Sequence, residues 1–134
     1  MPFVLDASIA AAWALPDETS GLADRLLTVA QTDGAVVPLL WWYEIRNILI
    51  VAERRKRIVA KDADAFLSSL TRMGIRAGEL GDGKSVMRLA RAHQLSVYDA
   101  AYLELAIRES LPLGTLDHGL AKAAEQENVT VLNG

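Results

Sequence analysis

Pro2-Phe3-Val4-Leu5-Asp6-Ala7-Ser8 decides how this chain is read. A short apolar run ends in a carboxylate and gives way at once to small residues. It is too short for a helix and suits a buried strand. Residues 8–15 are alanine-rich, helical in propensity, and stopped by Pro16. Strand, acid, helix is the opening of a βα unit, and the rest of the chain repeats the alternation. Residues 19–31 carry Leu22, Leu26, Leu27 and Ala30 at helical spacing, Asp33-Gly34 makes a turn, and residues 35–38 read as a second buried strand. A long helix follows over 40–57, apolar at Trp41, Ile45, Ile48, Leu49 and Ala52 but also at Trp42 and Val51. Such an all-round apolar helix is buried or sits in an interface, and Trp41, Trp42 and Tyr43 are assigned to the core or a dimer interface.

Further on, 62–73 is an amphipathic helix with Phe66, Leu67 and Leu70 on one face, and 74–77 a short strand. Residues 84–93 are a helix with Lys84, Arg88 and Arg91 in a basic stripe. Residues 96–108 are a helix with Ala100, Leu103 and Ile107 inward. A strand over 112–117 again ends in a carboxylate, Asp117. A helix over 118–127 and a last strand over 129–132 close the chain. Strands alternating with helices predict an α/β fold, a three-layer α/β/α sandwich around a mainly parallel sheet. The length, 134 residues, predicts one domain over 1–134.

Composition narrows the chemistry. Apolar residues make up 51% and charged residues 23%, the balance of a folded domain rather than a disordered one. The absence of cysteine excludes a disulfide scaffold, a thiolate metal site and a cysteine nucleophile, and two histidines are too few for a typical zinc site. The longest unbroken apolar run, 35–43, contains Pro38 and is far shorter than the ~20 residues that cross a bilayer. The N-terminus has no basic segment and carries an acid at position 6, unlike a signal peptide, so a cytoplasmic protein is expected. The net charge is −3, yet residues 46–91 hold eleven of the fourteen basic residues and only five of the seventeen acids. That asymmetry fits a basic binding face beside an acidic site.

The acids carry the function. In an open parallel sheet, ligands bind beyond the carboxyl ends of the strands, where Asp6 and Asp117 fall. Each alone is also a good helix N-cap, and Ser96-Val-Tyr-Asp99 matches a capping box. Glu44 differs: it is embedded in the apolar run 39–45, where a carboxylate is costly unless paired or liganding, with Asn47 one turn on. If Asp6, Glu44, Asp99 and Asp117 converge, two unit charges ~5 Å apart at an effective dielectric of ~20 repel by ~3 kcal/mol. Protonation or a divalent cation must relieve this, and oxygen ligands favour Mg²⁺ or Mn²⁺. Such a centre with basic surroundings suits phosphodiester hydrolysis. Lys84, Arg88 and Arg91, or the group Arg54, Arg55, Lys56 and Arg57, are then candidates to track a nucleic-acid backbone.

The patterns Val4-Leu-Asp6-Ala-Ser8, Trp42-Tyr-Glu44-Ile-Arg-Asn47, Leu95-Ser-Val-Tyr-Asp99-Ala-Ala-Tyr102 and Thr115-Leu-Asp117 resemble the PIN-domain ribonucleases, and more narrowly the VapC toxins of type II toxin–antitoxin systems. The resemblance spans the chain in order. It implies an α/β/α sandwich, an Mg²⁺- or Mn²⁺-dependent endoribonuclease, a homodimer, and neutralisation by a small VapB-type antitoxin. It maps the metal-binding acids onto Asp6, Glu44, Asp99 and Asp117, with Ser8 and Thr115 in support. His118 stands where these toxins often carry a basic or small residue.

Four other readings are weighed against this. A haloacid dehalogenase-type phosphatase wants Asp-x-Asp after the first strand, a receiver wants adjacent acids there, and a dinucleotide binder wants a Gly-rich turn; Asp6-Ala-Ser8 supplies none of them. A catalytically inactive PIN fold that only binds RNA or protein is opposed by the presence of all four acids.

Overall fold

The computed structural model describes residues 1–133. Its four strands are β1 (Phe3–Leu5), β2 (Ala35–Val37), β3 (Ile75–Ala77) and β4 (Leu113–Gly114). They alternate with α1 (Ala7–Ala14), α2 (Gly21–Asp33), α3 (Trp41–Arg54), α4 (Ala60–Leu70), α5 (Gly83–His93), α6 (Val97–Glu109) and α7 (His118–Gln126). The sheet order is β3-β2-β1-β4 and every pairing is parallel, with Phe3 opposite Ala35 and Val4 opposite Leu113. The chain steps from β1 to β2 to β3 in one direction, then crosses back to β4. Right-handed crossovers therefore place α1–α4 on one face and α5–α6 on the other. The expected α/β/α sandwich with a parallel sheet is the observed one.

β1 and β2 are buried along their whole length, which is why both read as continuous apolar runs. Phe3, Val4, Leu5, Val36 and Val37 form the centre of the core, covered by Ile9, Leu26 and Ile45 from one side and Leu103, Leu105 and Leu120 from the other. A smaller cluster of Leu15, Leu49, Ala52, Ile58 and Ala63 closes the outer helices. Two glycines are required by close approach. At Gly34, φ is +81° and a Cβ would lie 2.5 Å from the Gly74 carbonyl oxygen; at Gly114 it would meet Leu26 Cδ1 at 2.7 Å.

The sequence expectations fail at particular places. The strand over 112–117 shrinks to Leu113–Gly114, because Thr115 turns inward to bond Asp6 and Asp117 begins the next helix. The last strand, 129–132, is reduced to one parallel bridge between Val131 and Leu113. Two backbone bonds of 2.9 Å hold it, from Leu113 N–H to Thr130 and from Leu132 N–H to Leu113. The helix expected over 40–57 ends at Arg54, and the one expected over 62–73 runs from Ala60 to Leu70. Ile107 is not inward but 40% exposed; the buried face of α6 is Ala100, Tyr102, Leu103, Leu105 and Ala106, and Ile107 falls about 100° beyond Ala106. Among the described residues, no helix is long and apolar enough to cross a membrane.

Candidate active site

The crossover reverses at β1, so the crevice between the carboxyl ends of β1 and β4 is the switch point at which open sheets bind ligands. Asp6 leaves β1 there. It occupies the N-cap position of α1, with φ −72° and ψ 146°, but its side chain makes no capping bond. Its Oδ2 instead accepts the Ser8 hydroxyl at 2.7 Å and the Thr115 hydroxyl, 109 residues away, at 2.6 Å. Thr115 Oγ1 in turn accepts the Asp117 N–H at 3.0 Å, and Ser8 Oγ accepts the Leu116 N–H at 3.0 Å. The hydroxyls thus stitch the ends of β1 and β4 together around a carboxylate that is only 7% exposed. Burial pushes the Asp6 carboxyl above its ordinary range; the hydroxyl bonds pull it back, and nearby Asp117 adds a further push upward.

The other three acids stand at helix starts on the same edge. Glu44 lies in the first turn of α3, Asp99 in the first turn of α6, and Asp117 caps α7 by accepting the Leu120 N–H at 3.0 Å. At Asp99 only half of the predicted capping box forms. Its N–H bonds Ser96 Oγ at 3.0 Å, but the carboxylate returns no bond and has no hydrogen-bond partner among the described residues. Burial raises its pKa, and Asp117 and Asp6 raise it further. Glu44 is raised by burial and by the charges of Asp6 and Asp99, against the hydroxyl of Tyr102, which donates to its Oε1. The Tyr102 hydroxyl is itself held far above its usual pKa by burial and by that bond to Glu44.

The structure therefore brings the four predicted acids into one electrostatic neighbourhood, and none of them takes part in an ion pair among the described residues. Ser8 and Thr115 are in contact with it; Asn47 is exposed and makes no bond to Glu44 among the described residues. Tyr102 is the residue that sequence reasoning passed over. Its signal was present: it follows Asp99 by three positions on one helix face, and a buried tyrosine hydroxyl needs a partner. Among the described residues no three Asp, Glu or His side chains close directly around one point as a metal cage. Hard oxygen donors set in an open arrangement fit an ion that keeps part of its water shell, as Mg²⁺ does, better than one that demands a full protein cage.

The flanking expectations divide. Trp41 is core at 6% exposure, but Trp42 and Tyr43 are exposed at 52% and 71%, because α3 buries only the stripe Trp41, Ile45, Leu49 and Ala52. Arg88 is not a free phosphate contact: it pairs with Glu127 at 3.3 Å, where His93 also bonds at 2.7 Å. Lys84, Arg91, Arg54 and Arg55 are exposed and make no ion pair among the described residues. Arg57 is tied to Asp17 at 2.8 Å. His118 is exposed at the start of α7.

An acid at a cap position that declines to cap, fixed instead by two hydroxyls among three further acids, makes this edge the candidate site. The PIN domain family matches residues 3–126. The chain belongs to the PIN-domain family. It is 34% identical to Ribonuclease VapC3 of Pyrobaculum aerophilum over 126 residues, covering 91% of this chain and 94% of that protein. Its PIN fold is shared with the crystal structure of PAE2754 from Pyrobaculum aerophilum, with TM-score 0.73, 23% identity, and coverage of 95% of this chain and 92% of that one. It is also shared with the crystal structure of FitAcB from Neisseria gonorrhoeae, with TM-score 0.67, 18% identity, and coverage of 98% and 96%. In this PIN domain the hydroxyl-braced Asp6 is the fixed point about which the other acids are arranged.

Proposed function

We propose that the chain is a divalent-metal-dependent endoribonuclease, the VapC-type toxin of a type II toxin–antitoxin pair, acting as a single domain over 1–134. The observation that carries the reading is the withdrawal of the Asp6 carboxylate from helix capping into a buried bond with Thr115, beside three acids without basic partners. Kinship with Ribonuclease VapC3 across nearly the whole chain supports the same chemistry.

Asp6 and Asp99 would hold the principal cation, Mg²⁺ or Mn²⁺; Asp117 would complete its shell, and Glu44 would hold a second, weaker ion or orient the attacking water. A bound cation supplies Lewis acidity and charge neutralisation for hydrolysis of an RNA phosphodiester. The protein's own part is positional. Ser8 and Thr115 fix Oδ2 of Asp6 and leave Oδ1 without a side-chain hydroxyl on it. Asp117 spends Oδ1 on the α7 N-terminus and keeps Oδ2. Tyr102 holds Glu44 by donating to its Oε1. The partners are RNA, a VapB-type antitoxin and a second copy of the chain, in the cytoplasm.

Asp6→Asn and Asp99→Asn, made separately, should each abolish metal-dependent RNA cleavage while leaving a folded protein. Mn²⁺ at ~100 times its dissociation constant should stabilise the wild type by ~2.7 kcal/mol and the variants by much less. Full cleavage by either variant removes the proposal. A folded wild type with neither cleavage nor a metal-linked shift points instead to the inactive binding module.

A further inference from the structure

Among the described residues, His93 and Glu127 form the most buried pair that joins two separate elements, with side chains 10% and 20% exposed, and no step of the hydrolysis uses them. His93 ends α5 and Glu127 closes the carboxyl end of α7. The His93 Nε2–H donates to Glu127 Oε2 at 2.7 Å, and its Nδ1 lies 3.1 Å from Gln126 Oε1. Arg88 reaches Glu127 Oε1 at 3.3 Å from a more exposed position, so the histidine is the inner member of the group. His93 and then Arg88 hold the Glu127 carboxyl below its ordinary range. This tie spans a gap. α5 packs along α6 and α7 packs on α6, but α5 and α7 hardly meet through their backbones. A cleft of about 330 Å³, lined by Ala92, His93, Gly119 and Lys122 among others, opens between them.

Both ends of the tie lead to a site acid. A tight corner follows His93: Gln94 is left-handed at φ +51°, Leu95 N–H bonds the Ala90 carbonyl at 3.0 Å, and Ser96 Oγ accepts the Asp99 N–H at 3.0 Å. The corner thus carries His93 to Asp99 with little freedom. Glu127 ends the helix that Asp117 begins, about 15 Å away along its axis. We propose that His93 and Glu127 are positioning residues for the cation site: by tying α5 to the far end of α7 they set the separation of Asp99 and Asp117. The corner, the tie and α7 make three sides of a ring, and the two acids stand at the fourth. In keeping with that, the charge of Asp117 acts on Asp99 more strongly than that of Asp6. With the tie cut, α7 keeps its Asp117 cap and its seat on α6 but loses the restraint on its carboxyl end, so its tilt drifts. A cation that needs oxygens from both acids is then held less well, because ligand placement sets affinity. The inference rests on the metal-dependent ribonuclease reading and adds to it residues remote from the acids.

Mn²⁺ binding is measured by calorimetry on the whole chain, beside RNA cleavage. His93→Ala and Glu127→Ala should each weaken Mn²⁺ binding by about threefold to tenfold, less than the loss of about 10–100-fold for a group bonded directly to a metal ligand. With Mn²⁺ held near the wild-type dissociation constant, kcat should fall while KM for RNA stays, since neither residue borders the acids. Glu127→Gln still accepts the Nε2–H bond and should restore most of the affinity. The double alanine variant should bind no more weakly than either single one, because one tie is cut in each case. Asp17→Ala breaks an exposed pair with Arg57 elsewhere on the surface and should leave Mn²⁺ affinity unchanged. Glu127→Asp withdraws the carboxylate by one methylene with its charge kept, and should show the same loss where an alanine variant fails to fold. Wild-type Mn²⁺ affinity in the folded variants overturns the proposal, as do additive losses in the double variant or an equal loss in Asp17→Ala. A wild type that binds no Mn²⁺ overturns this proposal and the metal-dependent reading together; one that binds and cleaves while the variants match it overturns this proposal alone.

Discussion

Thr115→Val tests whether the hydroxyl brace on Asp6 does what its geometry says. The side chain is 4% exposed, and valine preserves its shape, so no cavity forms. Two bonds are lost: the 2.6 Å bond given to Asp6 Oδ2 and the 3.0 Å bond accepted from Asp117 N–H. The second is replaceable by water, since Asp117 is exposed. The first is a hydrogen bond to a buried charge, worth about 1.5–3 kcal/mol, and Asp6 keeps one hydroxyl, from Ser8, at 2.7 Å. A loss of about 2 kcal/mol at pH 8 follows, which for a chain of this size lowers Tm by about 8 °C. The pH dependence is the decisive part. The folded pKa of Asp6 lies above its unfolded value because burial outweighs the hydroxyl bonds. Ionising Asp6 therefore costs folding stability, and that cost enters as pH rises from the unfolded pKa through the folded one. Removing a donor that favours the ionised form raises the folded pKa further, so the deficit of the variant relative to wild type must grow with pH. Below the unfolded pKa, where the carboxyl is neutral in both states, only a neutral bond is missing, and the deficit tends towards about 1 kcal/mol or less. Thermal unfolding of both proteins in chelator across pH 4–8 measures the difference, and groups common to both cancel. A deficit that is flat across this range, or absent, would mean that Thr115 does not support the carboxylate.

Asp99→Asn should raise Tm in chelator at pH 8, by less than about 4 °C because the side chain is half-exposed and screened. The gain should fade as pH falls through the raised folded pKa towards the unfolded one, as differential scanning at the two extremes will show. Tyr102→Phe removes the donor that holds Glu44 down; it should cost about 1–2 kcal/mol in denaturant unfolding and move the acid limb of the pH–rate profile to higher pH. Arg88→Ala breaks an exposed pair with Glu127, so it should cost less than about 1 kcal/mol and leave the salt slope of RNA binding unchanged. Lys84→Ala with Arg91→Ala should flatten that slope, and the two titrations side by side separate a structural arginine from phosphate contacts.

What could be read in the chain, and what could not, follows from where each residue finds its partner. β1 and β2 were legible because a strand buried on both faces has to be apolar throughout. The segment 129–132 was read as an equal strand and is a single bridge, since an edge segment near the chain end has one neighbour to pair with. Glu44 betrayed itself by being an acid in an apolar run. Asp6 could not be separated from an ordinary helix cap, because the backbone position is the same in both cases and the deciding hydroxyl comes from Thr115. Arg88 looked like part of a free stripe for the same reason: its partner, Glu127, is 39 residues away. Trp42 and Tyr43 were assigned to the core or a dimer interface, and it is the core half of that reading that fails. The stripe Trp41, Ile45, Leu49 and Ala52 already filled the buried face of α3, and the period of a helix left the next two aromatics no room on it.

The arrangement also explains how four acids coexist here without a basic side chain among them. Each stands at the start of a helix: Asp6 before α1, Glu44 and Asp99 in the first turns of α3 and α6, and Asp117 at the cap of α7. A helix N-terminus favours a nearby negative charge by about 0.3–1 kcal/mol, and by up to about 2 where partly buried. This is less than the mutual repulsion and desolvation, which is why Asp6, Glu44 and Asp99 keep raised pKa values. An arginine would compensate the charge more fully, but its forked donors would occupy the carboxylate oxygens. Helix dipoles lend positive potential at little cost in lone pairs: Asp117 gives Oδ1 to the α7 N-terminus and keeps Oδ2. The fold thus lends the acids positive potential while leaving oxygens open to a cation, and the remaining deficit of positive charge is what a divalent ion can fill.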